Sequence, residues 1–204
     1  MASTFVNDLR LNEMATGDQS GSWGTVTNTN LELIGDAFGF GTEAITTNAN
    51  THTTTIADGS ADAGRSMFLK YTGALDSACT ITIGPNTVSK MWFIENATTG
   101  SQNIIISQGS GANITIPAGK TKAVYSNGAG SGAAFVDAFN SLSVGALTGT
   151  TGTFSGAVSL GGIAYPTSDG SSGQALVTNG SGTVSFGSAG ISTGKAIAMA
   201  IVFG

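Results

Sequence analysis

Charge is what this sequence has least of. Lysine, arginine, aspartate and glutamate together make 9% of the 204 residues, against about a quarter in an ordinary globular domain. Residues 138–204 carry only Asp169 and Lys195. A disordered tail stays dissolved through charge, and this segment has almost none. A weakly charged stretch of Gly, Ser, Thr and Ala with scattered Val, Leu, Ile and Phe makes sense when buried against other copies or a larger particle. That points to a structural part of an assembly and away from a free-standing enzyme. The net charge of −5 is uneven, with eight acids against two bases in residues 1–66. Such an acidic N-terminal third argues against general nucleic-acid binding, which needs Lys and Arg to displace counterions.

Other absences narrow the chemistry. The single cysteine, Cys79, excludes an internal disulfide framework. It lies in the alternating run Cys79-Thr-Ile-Thr-Ile83 and reads as a buried small hydrophobe, not a nucleophile. The single histidine, His52, removes His-pair zinc sites and leaves any Ser-His-Asp triad resting on one residue in a threonine run. A hydrogen-bonding role with solvent or threonine is expected for it. Met1–Phe5 lacks the basic and apolar regions of a secretory signal. The longest apolar run, Ala196–Phe203, is far short of the roughly 20 residues that span a bilayer.

What fills the chain instead is Gly, Ser, Thr and Asn, 95 residues in all, with only ten Leu and four Gln. Thr, Val and Ile suit pleated strands, and Gly and Asn suit tight turns, so the expected class is mainly β. Three regions follow. Residues 1–45 form an N-terminal attachment segment with a short helix near Thr29–Phe38. Thr29 or Asn30 would cap it, Leu31, Ile34 and Phe38 fall on one face, and Gly39 and Gly41 end it. Trp23, in the turn-rich Gly17–Gly24 loop, is expected to cover that apolar face or to join an intersubunit contact. Residues 46–137 hold a Thr-rich strand with the turn Asp58-Gly59. Six short apolar runs then follow (Met67–Tyr71, Cys79–Ile83, Lys90–Ile94, Asn103–Ile106, Asn113–Ile116, Lys122–Tyr125). Strands every ten to twelve residues indicate a small antiparallel β-sandwich or jelly-roll-like domain.

Residues 138–204 read as a Gly/Thr-rich extended β shaft or tip. Leu142, Val144, Ala146, Phe154, Val158 and Leu160 alternate with Ser, Thr or Gly around Leu147–Thr153. So glycine-rich an alternation buries too little alone, and wrapping by other chains would supply the rest. At the C-terminal end, Ile197, Met199, Ile201 and Phe203 alternate with Ala198, Ala200 and Val202. Both faces are apolar, the pattern of a strand buried on each side.

Several stretches are specific enough to carry a resemblance. Leu9-Arg-Leu followed by Thr16-Gly-Asp-Gln-Ser-Gly-Ser-Trp-Gly-Thr-Val-Thr-Asn-Thr-Asn-Leu31 and Ile34 resembles the N-terminal segment of many bacteriophage tail-fibre and other virion surface proteins. The order "FLKYTGAL", "TITIGPN", "FIENATTG", "GSGANITIPAGKT" and "VYSNG" resembles a recurrent β-domain of phage fibre proteins. "GTTGTFSGAVSLGG" resembles their shaft segments.

Taken with the weakly charged, Gly/Thr-rich composition, the resemblance leads to the expectation of a non-enzymatic virion structural protein acting as a homotrimer: a short tail or head fibre or a capsid decoration protein on the phage particle surface. Its partners would be itself and other virion proteins such as capsid, tail or adaptor. No cofactor, nucleic acid or membrane insertion is expected. The alternative function is a receptor-binding adhesin that recognises host surface glycans, with Tyr71, Trp92, Tyr125 or Tyr165 as candidate sugar platforms. Paired carboxylates for glycan cleavage would come from Asp58, Asp62, Asp76 or Glu95, which show no pairing in the sequence. Asp58, Asp62 and Asp169 lie in loops of the kind that bind Ca²⁺, without a supporting spacing. The residues assigned to assembly are Trp23, Leu31, Ile34, Phe38, Phe154, Val158, Leu160, Ile197, Met199, Ile201 and Phe203.

Overall fold

The computed structural model describes residues 4–146, 148–154, 156–190 and 193–203; Leu147, within the Gly/Thr-rich run, lies outside the described residues. The chain divides into two compact units, Met1–Ser143 and Val144–Gly204.

The first unit opens with a hairpin of β1 (Thr4–Val6) and β2 (Leu11–Glu13), followed by α1 (Trp23–Ala37). Nine strands come next: β3 (Phe40–Ala44), β4 (Thr51–Thr55), β5 (Phe68–Thr72), β6 (Cys79–Gly84), β7 (Met91–Asn96), β8 (Ile104–Ser107), β9 (Ile114–Ile116), β10 (Thr121–Ser126) and β11 (Phe135–Asp137). They form two open sheets, one ordered β11-β10-β7-β5-β3 and the other β4-β6-β8-β9. From β3 to β8, each strand crosses to the other sheet before the next begins. Strands that pair are therefore one full circuit apart in sequence and run parallel: β3 with β5, β5 with β7, β4 with β6, and β6 with β8. Only β9, β10 and β11 return antiparallel.

This corrects the expected fold class. The protein is not a mainly β chain with an antiparallel sandwich or jelly roll; it is a mixed α/β fold with several open sheets. The six apolar runs do become β5 to β10, but a strand every ten to twelve residues fits a hairpin chain and a two-sheet circuit equally well. The difference lies in where the connections go.

Side chains alternate across each strand, and the inward set is strongly apolar. Leu69, Tyr71, Trp92, Ile94 and Val124 from one sheet meet Ile81, Ile83, Ile104, Ile106 and Ile116 from the other in a single buried cluster. The circuit also needs corners tight enough for successive turns to stack. Ile45 N–H bonds Thr72 O, Thr99 N–H bonds Gly73 O and Leu75 N–H bonds Thr99 O. Gly73 (φ +121°) and Gly100 (φ +96°) sit at these corners, where a Cβ would run into the carbonyl oxygens of Ile45 and Leu75 respectively. Asn96 braces the same corner, its side-chain amide donating to Gln102 O and Ile116 O while its oxygen accepts from Thr98.

Helix α1 differs from its expected form in length and in facing. It begins at Trp23 rather than near residue 30, with Ser22 at its N-cap and Phe38 at its C-cap. Leu33 and Ala37 are its buried residues, with Val26 and Asn30 half-buried on the same side. Leu31 and Phe38 are exposed and Ile34 is half-buried.

The second unit contains two hairpins, β12 (Ser159–Leu160) with β13 (Ile163–Ala164) and β14 (Gln174–Thr178) with β15 (Val184–Ser188), then α2 (Thr193–Phe203). The described residues between 142 and 158 form no strand, so the expected alternating shaft is not seen there. The expected terminal strand is a helix: a run apolar on every side has no period to separate the two forms, and its alanines favour helix.

The corner glycines give a direct test. Gly100→Ala combines a left-handed backbone with a blocked approach to Leu75, so calorimetry should show destabilisation of at least 1–3 kcal/mol, the usual cost of such strain. An unchanged melting temperature would mean that the corner has room to open.

Candidate functional site

A buried cation organises the loop after β4. Arg65 is fully buried, closing the short 3-10 turn Ala63–Arg65. Its Nη2 donates to Ala57 O at 2.7 Å, to Ser60 O at 2.9 Å and to Asp62 Oδ2 at 3.0 Å. Asp62 in turn accepts the Arg65 N–H at 2.7 Å and the Ala57 N–H at 3.0 Å. Lys90 Nζ donates to the Arg65 carbonyl and lies 4.8 Å above the Trp92 ring, whose Nε1–H donates to Gly64 O at 2.8 Å.

The N-terminal hairpin fastens to this hub. Arg10 Nε donates to Asp58 Oδ1 at 2.7 Å, Gly59 N–H bonds Arg10 O at 2.9 Å, and Asp8 Oδ1 accepts the Ser89 N–H at 2.7 Å. Asn30 of α1 and Asn12 of β2 exchange two hydrogen bonds, at 3.1 and 2.9 Å. A cavity of about 130 Å³ between them is lined by Asn12, Thr25, Val26, Thr29, Asn30 and Gly59. That is well below the roughly 300–1,000 Å³ of small-molecule sites.

The residues singled out for chemistry are held apart. Asp58 pairs with Arg10, Asp62 with Arg65, and Glu95 with Lys70 at 3.7 Å. Asp76 accepts from Ser77, and Asp169 accepts the Gly170 N–H. Among the described residues, no group of three His, Cys, Asp or Glu is placed to hold a metal ion. Cys79 is fully buried, and that burial raises its thiol pKa. Sequence reasoning missed the partner of His52, whose Nε2 lies 2.7 Å from Glu43 Oε1, linking β4 to β3. Its ring also meets Tyr71 edge-on. Of the four proposed sugar platforms, Tyr71 and Trp92 are core residues, whereas Tyr125 is exposed and Tyr165 half-buried.

What the structure does present is apolar surface. Trp23 is not a plug for the helix: it is the first residue of α1 and 66% exposed. At 100° per residue, Trp23, Leu31, Ile34 and Phe38 fall within an arc of about 80°, forming one stripe that borders the buried face of Leu33 and Ala37. A second patch covers the outer face of the five-stranded sheet. There Phe40, Phe68, Phe93 and Ala123 stand in register across four neighbouring strands. The Phe40 and Phe68 rings stack at 5.1 Å, and Phe40 is 61% exposed. Met91 and Tyr125 pair beside them, both exposed.

In the second unit, no described residue is buried. Phe154, Leu160, Ile197, Met199, Ile201 and Phe203 are exposed there, and Val158 is half-buried.

Two measurements probe these placements. Trp23→Ala removes an exposed side chain, so it should shift stability by no more than about 0.5 kcal/mol. A loss of 3–5 kcal/mol, the range for a deleted buried aromatic, would show that Trp23 belongs to the core after all.

Lys90 offers a pH test. Burial lowers its pKa from 10.5 to about 8, against the pull of Asp62 and with the push of Arg65. Between those values the unfolded chain binds more protons, so this residue makes stability rise with pH from about 8 toward 10.5. Tyr71 works the other way: burial raises its phenol pKa, and its contribution is lost as pH climbs past about 10. Urea denaturation at stepped pH should show the rise in the native chain and its loss in Lys90→Met. A rise that persists in the variant would rule out Lys90 as its source.

No family model matches the chain, no curated protein matches its sequence and no solved structure matches its fold.

Proposed function

We propose that this chain is a non-enzymatic structural protein of a bacteriophage virion, working as an oligomeric surface appendage such as a short fibre or a capsid decoration protein. The observation that carries the oligomeric part is the second unit, which has strands and a helix but no buried side chain among its described residues. Isolated two-stranded hairpins are at best marginally stable in water, and eleven large apolar residues of this unit, from Val144 to Phe203, are exposed among its described residues. Such a segment acquires a core from neighbours. The virion assignment draws on the resemblance of the Thr16–Leu31 and Gly149–Gly162 stretches to phage fibre segments. A folded first unit fastened to an N-terminal hairpin and helix then serves as the body, with the exposed α1 stripe as an attachment surface.

Light scattering of the purified full-length chain should give an oligomer, with three subunits as the expected number. A well-behaved monomer with an ordered second unit would overturn the reading. Saturable binding to host cells that is lost in Tyr125→Ala would favour the adhesin function over a purely structural one.

A further inference from the structure

The outer face of the five-stranded sheet and α2 have complementary needs. The sheet face carries an apolar strip: the exposed Phe40, the half-buried Phe68 and Phe93 and the buried Ala123 in one row, with the exposed Met91 and Tyr125 in the next. The row spans three inter-strand steps of about 4.8 Å, or roughly 14 Å. Helix α2 has 11 residues and a length of about 16 Å at 1.5 Å per residue. Ile197, Met199, Ile201, Val202 and Phe203 are all exposed on it, Phe203 at 83%. They lie all around its axis, and a helix apolar on every side belongs in an interior.

We propose that the outer face of the five-stranded sheet is the docking platform for α2 of a second copy of this chain. The inference rests on the oligomeric reading above and names the surfaces that meet.

Area favours this occupant over a second platform. Five strands at about 4.8 Å and three outward residues per strand make a face of only a few hundred square ångströms. Stable interfaces bury about 800 Å² per partner, so two such faces pressed together fall short. When each copy gives a helix and receives one, every copy uses two separate surfaces. In a two-fold pair both surfaces fall in one interface, which doubles the area each partner buries. Charge does not oppose it, because Lys70 and Glu95, the ionised groups on β5 and β7 in the row beside the phenylalanines, pair with each other at 3.7 Å.

The test uses full-length chains expressed together, one carrying Thr42→Cys on the exposed outer face of β3 and the other Met199→Cys on α2. Cys79 is fully buried and stays out of the reaction. On mild oxidation, a non-reducing gel should show a disulfide joining the two different chains. In parallel, the double variant Phe40→Ser/Phe68→Ser, altered only at outward positions, should weaken self-association at least tenfold while its thermal transition stays close to that of the native chain. If the protein is oligomeric but cross-links form only between like chains, or the double variant associates normally, this docking is wrong and the oligomeric reading stands. If the native chain is monomeric, both fall.

Discussion

Everything in the first unit depends on two facing ladders of aliphatic side chains. Ile81 and Ile83 on β6, Ile104 and Ile106 on β8 and Ile116 on β9 close against Leu69, Tyr71, Trp92 and Ile94 of the opposite sheet. Fully burying a side chain of this size contributes roughly 1.5–3 kcal/mol as an upper estimate. The parallel circuit is the route that lets both ladders form. Each full circuit of the chain adds one rung to each ladder, and the corner glycines bring successive rungs to hydrogen-bonding distance.

The polar hub at Arg65 is subordinate to that core and does a different job. A fully buried guanidinium contributes little net stability, because desolvation offsets most of its pairing with Asp62. What it does is give the loop after β4 one shape, since Nη2 reaches Ala57, Ser60 and Asp62 at once. That shape presents Asp58 and Gly59 to Arg10, so the hairpin and α1 dock on a surface fixed from beneath. Lys90 adds a second, half-buried cation, held by the Arg65 carbonyl and the Trp92 ring face. The N-terminal segment is thus joined to the body mainly by directional polar contacts, which set orientation more than they add stability.

How much of this was legible beforehand follows from what each residue pattern encodes. Alternation in Cys79–Ile83 and Lys90–Ile94 marks strands and says which residues share a face, and the structure buries Cys79, Ile81, Ile83, Trp92 and Ile94. Pairing partners are not encoded locally. Phe68 lies beside Phe40 and Phe93, each about 25 or more residues away, and no turn signal distinguishes that from a hairpin. The helix shows the same limit at smaller scale. Leu31, Ile34 and Phe38 do share a face, but the core takes the neighbouring one, roughly 100° round the helix, where Leu33 and Ala37 are buried. In residues 197–203 apolar side chains occur at every register, so neither a period of 2 nor one of 3.6 stands out. The Arg65 and His52 pairings join residues through the fold, and only the Asp62–Arg65 spacing left a trace in the sequence.

The contrast between the two units carries the functional argument further than any single residue does. The first unit has spent its best hydrophobes on a core and still leaves Trp23, Phe38, Phe40 and Met91 in water. A polar substitution at each would keep the same core, so the core does not account for them. The second unit has the opposite composition: too few large side chains for a core, too little charge to remain solvated, and short hairpins that water alone does not hold. Under the proposed oligomer, its order would rise with protein concentration, as for any segment whose folding is linked to association. The first unit, by contrast, holds its own buried core and needs no partner for it.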